Sequence, residues 1–320
     1  MLTRRVFLCA LSSEYCRMKY DKPALRTDQL MDLLIQRGIV GDRDYIEACL
    51  RSVGYYRLSG YTYPFRKRSG DGSLLDEFEG PLNFQLVWDR YRADRQLRLL
   101  VMDAVERVEV FLRSQIATSH SLKFGLFSYA TDPKSLPGLD RKGSRKKFLE
   151  RVQAEQDRSQ EQFKRHFFNK YGDEEQYLPL WMAVEVWSFG TLMTFYKACP
   201  SSVRSEIARR FNVHPTVLES WLLCLNTVRN ICAHHGRLWN RELGTRPMLP
   251  KRDEAWRSPV QIAGNRVFVV LSILIWMLGS IDGDREWHER VIRFIDRVSD
   301  VFPAYLMGFP DRWKESPVWT

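Results

Sequence analysis

A pair of adjacent histidines lies in the segment RNICAHHGRLWNR, which occupies residues 229–241. The whole chain has six histidines, and this pair follows closely on an arginine and an asparagine. Such side chains are the groups needed to bind and cleave a phosphodiester, since a guanidinium holds the phosphate and an imidazole moves protons near neutral pH. Arg229, Asn230 and His234 are therefore candidate catalytic residues.

The spacing of these three residues permits one site on a helix. Residues 230 and 234 are one turn apart, so Asn230 and His234 share a face and the amide can orient the imidazole by a hydrogen bond. Arg229 lies about 100° round the helix, but its long side chain can reach the same groove. The chemistry that fits is metal-independent RNA cleavage, in which the ribose 2′-hydroxyl attacks the phosphate and Arg229 stabilises the charge on the phosphoryl oxygens.

This chemistry needs a base and an acid on opposite sides of the phosphorus, and His234 supplies one of them. His235 is one candidate for the other, but adjacent residues on a helix point about 100° apart, which places it poorly. A second copy of the chain, facing the first, would supply another His234. We therefore expect RNA as the substrate and a homodimer with a composite site.

A purely structural explanation of the same residues stays open. In it, His234 and His235 only end a helix and are stabilised by its dipole, while Arg229 forms a salt bridge and Trp239 packs on the core. Two adjacent histidines without a third ligand at a suitable spacing are not a zinc pattern. We expect neither a metal nor a cofactor.

The composition indicates a globular protein with a basic character. The 320 residues are 44% hydrophobic, which is enough for a substantial core. A net charge of +10 favours polyanionic partners such as nucleic acid. The six cysteines have no CxxC pair or regular spacing, so neither a zinc site nor a disulfide framework is indicated, and a reducing cytoplasm fits best.

Two apolar stretches raise the question of a membrane. The longer, at 267–281, falls short of the roughly 20 residues of a membrane helix, and it predicts a buried core helix. The N-terminal MLTRRVFLCALSS superficially resembles a signal sequence but has no clear cleavage site. We interpret residues 1–17 as a disordered tail or as the product of a misassigned start, with Met18 as the natural one. No membrane partner is expected.

Helical patterns dominate the first third of the chain. Residues 27–38 predict a short helix capped by Thr27, and residues 42–54 predict a second helix that ends at a glycine. The aromatic stretch 55–65 predicts a packed connector or a small two-stranded element, and residues 67–74 predict a loop.

The remaining pattern is also helical. Apolar residues at spacings of three and four predict the longest helix, from Phe84 to about His120. A loop at 131–147, a candidate insertion or hinge, leads into a charged helix that ends near Asn169. Five further helices are predicted at 181–199, 201–211, 218–235, 267–281 and 286–300. Because strand signals are sparse, the predicted fold class is mainly α-helical, or all-α.

Two other polar features are candidates for the site. Glu185 lies among apolar residues, so that, if it is buried, it needs a partner such as Arg229 or Arg237. The run RKGSRKK at 141–147, beside Phe148, has the composition to follow an RNA backbone, although a solvated surface is the alternative. The candidate RNA-binding residues are Arg141, Lys142, Arg145, Lys146 and Lys147.

RNICAHHGRLWNR resembles the signature of the Abi-like (AbiD/AbiF type) abortive-infection proteins of bacteria. The C-terminal part of those proteins resembles a HEPN domain, whose motif is an arginine and a histidine separated by a short spacer, with asparagine favoured in second place. Here Arg229, Asn230 and His234 match that motif. Four other segments are similar to the same family: 19–39, 53–65, 91–116 and 178–192. The stretch before Met18 departs from the family pattern, which puts the start in doubt.

The resemblance implies a HEPN-like helical bundle with an N-terminal helical extension. It implies RNase activity, with Arg229 and His234 catalytic and Asn230 supporting, in a toxin-like effector of phage defence that a cognate antitoxin or inhibitory RNA could restrain. On this basis we divide the chain into 1–17, an N-terminal helical and aromatic region at 18–80, a HEPN-like domain at 81–305 and a C-terminal tail at 306–320.

The resemblance also suggests supporting residues on the longest helix. HEPN proteins often place an acidic residue opposite the motif helix, and Glu106, Glu109 and Arg113 share one helical face. A surface ion pair within the helix is the alternative. The other supporting candidates are His235, Glu185 and Arg237.

Two alternative functions remain open. Some HEPN proteins only bind RNA or partners, so the chain could instead be a non-catalytic RNA- or protein-binding module that senses infection. A membrane-acting toxin built on residues 267–281 is disfavoured by the length of that helix.

Overall fold

The computed structural model describes residues 23–281, 283 and 285–320. Residues 1–17, interpreted above as a tail or a misassigned start, lie outside this range. Helices make up most of the described chain and strands are few and short, so the predicted mainly α-helical fold class is confirmed. The chain divides into two compact units, one ending at Phe84 and the other formed by Gln85–Thr320.

The described part of the first unit contains three helices: α1 (Thr27–Gln36), α2 (Arg43–Val53) and α3 (Tyr55–Thr62). The predicted cap of α1 was wrong by one residue, because Arg26 occupies the cap position and its backbone N–H donates to Gln29 Oε1 at 2.9 Å. The second helix is confirmed. Asp42 caps it by accepting from the Tyr45 N–H at 2.8 Å, and it ends at Gly54, where φ is +85°.

The aromatic stretch 55–65 was wrongly predicted as a connector or two-stranded element. It forms α3 and a 3₁₀ turn, because Leu58 and Tyr61, three residues apart, are both buried on one helical face. The predicted loop 67–74 forms the turn of a hairpin and parts of its two strands. Two small sheets result: β1 (Ile39–Val40) pairs in parallel with β4 (Leu82–Asn83), and β2 (Arg66–Arg68) pairs antiparallel with β3 (Leu74–Phe78).

The longest predicted helix is confirmed as α4 (Phe84–Phe124), which extends four residues beyond His120. Its buried stripe is mainly aliphatic and includes Val101, Val105, Val108 and Leu112. Asp94 and Arg98 lie in the same stripe and are 0% and 6% exposed. Charged residues this deeply buried require partners.

The region that follows contains three helices: α5 (Ser128–Thr131), α6 (Ser144–Arg158) and α7 (Gln162–Tyr171). The predicted loop at 131–147 therefore ends at Gly143, and its basic C-terminal part is the first turn of α6. The charged helix that was expected to continue to Asn169 is interrupted at 159–161.

The single helix predicted at 181–199 is wrong, because the chain forms α8 (Leu180–Val186) and α9 (Phe189–Ala198). The helix breaks at Ser188. Its backbone N–H and its hydroxyl donate to the buried carboxylate of Glu155, at 3.0 and 2.7 Å. The same hydroxyl accepts from the Thr191 N–H at 3.3 Å, so Ser188 caps α9.

Four further helices are close to their predicted bounds: α10 (Ser201–Arg209), α11 (Pro215–Ala233), α12 (Val267–Ile281) and α13 (Glu286–Arg297). The helix α11 packs against α9, α10 and α12. As predicted, α12 is buried around most of its circumference. No helix of the described residues is long and apolar enough to cross a membrane.

The C-terminal segment 306–320 packs on α12 through Trp319. This side chain is buried, its ring stacks on Phe268 with centroids 5.5 Å apart, and its Nε1–H donates to Ser272 Oγ at 2.8 Å. The core of the second unit therefore includes residues from the end of the chain.

Candidate functional site

Arg229, Asn230 and His234 lie at the C-terminal end of α11. His234 is the C-cap residue, and its backbone N–H donates to the Asn230 carbonyl at 3.0 Å. Residues 230 and 234 are therefore one helical turn apart, as the spacing predicts. Arg229 is half-buried, whereas Asn230 and His234 are exposed to solvent.

The side chains of these three residues have no partner within the part of the chain that the structure describes. The hydrogen bond predicted between the Asn230 and His234 side chains is therefore absent, and among the described residues Arg229 has no salt bridge of the kind that the structural explanation expected. A half-buried guanidinium with no carboxylate beside it gains nothing for the fold from its charge. The three groups are available to an external ligand.

The backbone leaves α11 through a left-handed residue. His235 has φ of +57°, a conformation that glycine adopts more readily, and its N–H donates to the Cys232 carbonyl at 3.0 Å. The Gly236 N–H donates to the Ile231 carbonyl at 2.8 Å. A Cβ on Gly236 would lie 3.2 Å from that same carbonyl oxygen, so the close approach favours glycine. Hence His235 does not continue the face of Asn230 and His234.

A buried carboxylate on α4 holds the segment that follows the motif. Asp94 Oδ1 accepts from the backbone N–H groups of Leu238 and Trp239, at 3.1 and 2.8 Å. Arg98, one turn further along α4, forms an ion pair with the same carboxylate. Sequence reasoning missed Asp94. The available signal was an aspartate within the buried stripe of a long helix, with an arginine four residues later.

The Trp239 side chain packs against a cation and an aromatic ring. The Arg90 guanidinium lies 4.9 Å from the centre of the Trp239 ring. The Phe302 ring stacks on the Trp239 ring, with the ring centroids 4.6 Å apart and the ring planes inclined by 2°. Burial lowers the pKa of Arg90 to about 10. The packing of Trp239 on the core, which the structural explanation expected, is therefore correct, and it coexists with the open polar side chains of α11.

Arg266 fixes the next part of the same segment. Its guanidinium donates to Asn240 Oδ1 at 2.7 Å and to the Leu306 carbonyl at 2.9 Å, and it forms an ion pair with Glu242 at 2.7 Å. Asp94 and Arg266 together hold the segment 238–242 beside the open end of α11, Asp94 through backbone N–H groups and Arg266 through side chains.

No group of three or more His, Cys, Asp or Glu side chains that could hold a metal ion occurs among the described residues. The thiol within the motif, that of Cys232, is buried in α11. Burial raises its pKa to about 12, so this thiol is protonated at neutral pH and is not a nucleophile.

The supporting candidates are scattered. Glu109 and Arg113 form a largely buried ion pair, and Arg113 also donates to the Val184 carbonyl at the end of α8, whereas Glu106 is exposed. Glu185 is exposed as well, so the burial that would have required a partner such as Arg229 does not occur. Arg237 is half-buried in the segment that Asp94 holds.

The basic residues at 141–147 do not form one surface. Arg145 donates to the Tyr129 carbonyl at 3.2 Å, and Lys146 lies 3.9 Å from Glu150. Arg141 and Lys147 instead line a groove between the loop before α6 and the end of α9. Phe148, expected beside an RNA strand, is 4% exposed, and its ring packs against Trp187 with centroids 6.0 Å apart. It is part of the core and offers no face to a base. The candidate Lys142 is exposed in the loop before α6.

These features define a mainly α-helical protein with an arginine, an asparagine and a histidine at the open end of a packed helix. The model of the Abi-like protein family matches residues 48–240, which is more than half of the chain, and the chain belongs to this family. The matched range includes the whole of the Arg229–His234 motif. No curated protein and no solved structure matches the chain significantly.

Proposed function

We propose that this protein is a metal-independent endoribonuclease with a HEPN-type site at the end of α11. The observation that carries the proposal is the state of Arg229, Asn230 and His234. All three lie within two turns of one helix end, and within the described chain none of their side chains forms a hydrogen bond or an ion pair with another residue. Side chains that only stabilised the helix end would be expected to bond to their neighbours.

The reaction is a transesterification. An imidazole removes the proton of the ribose 2′-hydroxyl, the 2′-oxygen forms a bond to phosphorus, and the bond from phosphorus to the 5′-oxygen breaks. A second proton carrier protonates the leaving 5′-oxygen. Arg229 holds the phosphoryl oxygens and stabilises the charge that develops on them, and Asn230 contacts the same group. The products are a 2′,3′-cyclic phosphate and a 5′-hydroxyl.

The second proton carrier comes from a second copy of the chain. Because His235 follows the C-cap in a left-handed conformation, it does not share the face of His234. On α11, Leu223 precedes Asn230 by seven residues and is therefore on the same face, with 44% of the residue exposed. An exposed leucine on the motif face suits a homodimer contact that brings two copies of His234 together.

Membership of the Abi-like family suggests a role in abortive infection, the phage defence in which an infected cell stops growing. An RNase suits such a role, because loss of RNA halts growth, and a toxin-like effector of this kind acts in the cytoplasm under the control of an antitoxin or inhibitory RNA.

The alternative is a non-catalytic module that binds RNA or a protein. The absence of a hydrogen bond between the Asn230 and His234 side chains favours it, since nothing orients the imidazole.

The test is RNA cleavage by the full chain in excess EDTA. Cleavage that leaves 2′,3′-cyclic phosphate ends and is lost in His234→Ala supports the nuclease and its mechanism. Binding of RNA without cleavage, by a folded dimer, supports the alternative.

A further inference from the structure

A polar groove lies in the same unit as the motif. It has a volume of about 730 Å³ and lies between the loop that precedes α6, the first two turns of α6 and the end of α9. Four cationic side chains line it: Arg141, Lys147, Arg151 and Lys197. Asp140 is the acidic residue of this lining.

One wall of the groove depends on a glycine. A Cβ on Gly138 would lie 2.7 Å from Ala198 Cα and 3.1 Å from the Lys197 carbonyl oxygen, so only glycine lets the loop rest on the end of α9. Leu139 and Phe148, which also line the groove, are buried. The groove is therefore a fixed feature of the packed structure.

The positive charge in this groove is largely uncompensated. Lys197 lies 3.0 Å from Glu219 on α11, but no carboxylate of the described residues pairs with Arg141, Lys147 or Arg151. Lys147 and Arg151 are one turn apart on α6, where like charges repel. The fold gains nothing from this arrangement, and a polyanion would relieve the repulsion.

We propose that this groove binds the phosphodiester backbone of the RNA strand that reaches the motif, an inference that rests on the proposed function. Glu219, which forms an ion pair with Lys197 at one side of the groove, and His234 are fifteen residues apart on and just beyond α11, so roughly 22 Å of helix axis separates Glu219 from the motif. A single RNA strand of several nucleotides covers this distance. The groove therefore holds the substrate and takes no part in the chemistry.

The experiment measures RNA binding as a function of salt. Fluorescence anisotropy with a labelled single strand is recorded on the full chain carrying His234→Ala, so that the RNA survives. The groove variant carries Arg141→Gln, Lys147→Gln and Arg151→Gln. The control carries three equivalent changes at exposed cations on the end of α6 and on α7: Arg158→Gln, Arg165→Gln and Lys170→Gln.

The expected result is a weaker dependence on salt in the groove variant. Each lost phosphate contact lowers the slope of log affinity against log salt by about 0.7 for a single strand, so three contacts lower it by about 2. The control keeps the slope of the parent protein. Because the three groove side chains have no partners among the described residues, the thermal midpoint of the groove variant stays at or above that of the parent.

Three results would overturn the inference: an unchanged slope, an equal loss in the control, or displacement of the strand by inorganic phosphate at constant ionic strength, which would reveal a site for free phosphate. If the parent chain binds no RNA, both the groove and the proposed function fail. If RNA binds through the groove but is never cleaved, only the nuclease fails.

Discussion

The Asp94 carboxylate accepts a hydrogen bond from the backbone N–H of Trp239 at 2.8 Å, across a sequence separation of 145 residues. Since Asp94 lies on α4 and Trp239 five residues beyond His234, this bond fixes the segment next to the motif to the longest helix of the fold. The position of the open end of α11 therefore depends on a residue far from it in sequence.

Replacing Asp94 is expected to destabilise the protein. Asp94→Ala removes the acceptor of two backbone N–H groups and leaves the buried Arg98 without its partner, at a cost of about 3–5 kcal/mol in the free energy of unfolding. Urea denaturation measures this loss. The matched control is Asp103→Ala on the same helix, where the ion pair with Arg290 is exposed and contributes at most about 1 kcal/mol. Equal losses in the two variants would contradict the assigned role.

The left-handed residue at the end of α11 gives a second prediction. His235→Gly relieves a backbone conformation that costs a non-glycine residue about 1 kcal/mol, so the midpoint of urea unfolding rises slightly. Ala233→Gly, inside the last turn of α11, is the control and lowers stability by about 1 kcal/mol. If His235 is not a catalytic group, His235→Gly also keeps the cleavage rate, and a large loss of rate would restore it as a candidate.

The motif face of α11 is expected to be covered by a second copy of the chain. Leu223→Arg places a charge in that contact, so the mass measured by sedimentation changes from dimer to monomer and RNA cleavage falls with it. Leu122→Arg is the control, because Leu122 on α4 is 83% exposed and outside the motif face. A dimer that survives Leu223→Arg would remove this surface from the composite site.

Stability is expected to fall in mild acid. His120 is fully buried, its Nε2–H donates to the Ser135 carbonyl at 3.2 Å, and burial lowers its pKa from the usual 6.5. Burial also lowers the pKa of His288. The unfolded chain therefore takes up protons below pH 6.5 before the folded chain does. This contribution is complete above that pH and is lost progressively as the pH falls towards the lowered values.

Urea midpoints measured at about pH 7.5 and about pH 5.5 test this dependence. His120→Gln should flatten it, whereas His166→Gln, at an exposed position on α7, should leave it unchanged. A midpoint that rises on acidification would contradict the buried, neutral state of His120.

The sequence predicts helices well where local pattern decides the structure. Residues 267–281 are apolar on all sides and form α12 with the predicted bounds. The single helix predicted at 181–199 was wrong, because the carboxylate of Glu155 binds Ser188 and the helix breaks there. Glu155 and Ser188 are 33 positions apart in sequence. Periodicity carries no information about such a contact.

The same distinction applies to the candidate site. The spacing of Asn230 and His234 could be predicted because both residues belong to one helix end. Asp94 and the groove beside α6 could not, because each depends on packing between segments far apart in the chain. The run at 141–147 divides between two surfaces, since successive residues on a helix point about 100° apart.

The measurement that tests the central claim most directly is cleavage of RNA in excess EDTA by three proteins: the unaltered chain, His234→Ala and His166→Ala. We expect the unaltered chain and His166→Ala to produce 2′,3′-cyclic phosphate ends at similar rates, and His234→Ala to lose at least about a hundredfold in rate. Full cleavage by a folded His234→Ala protein, or none by an unaltered dimer that binds RNA, would contradict the assignment of a nuclease to this site.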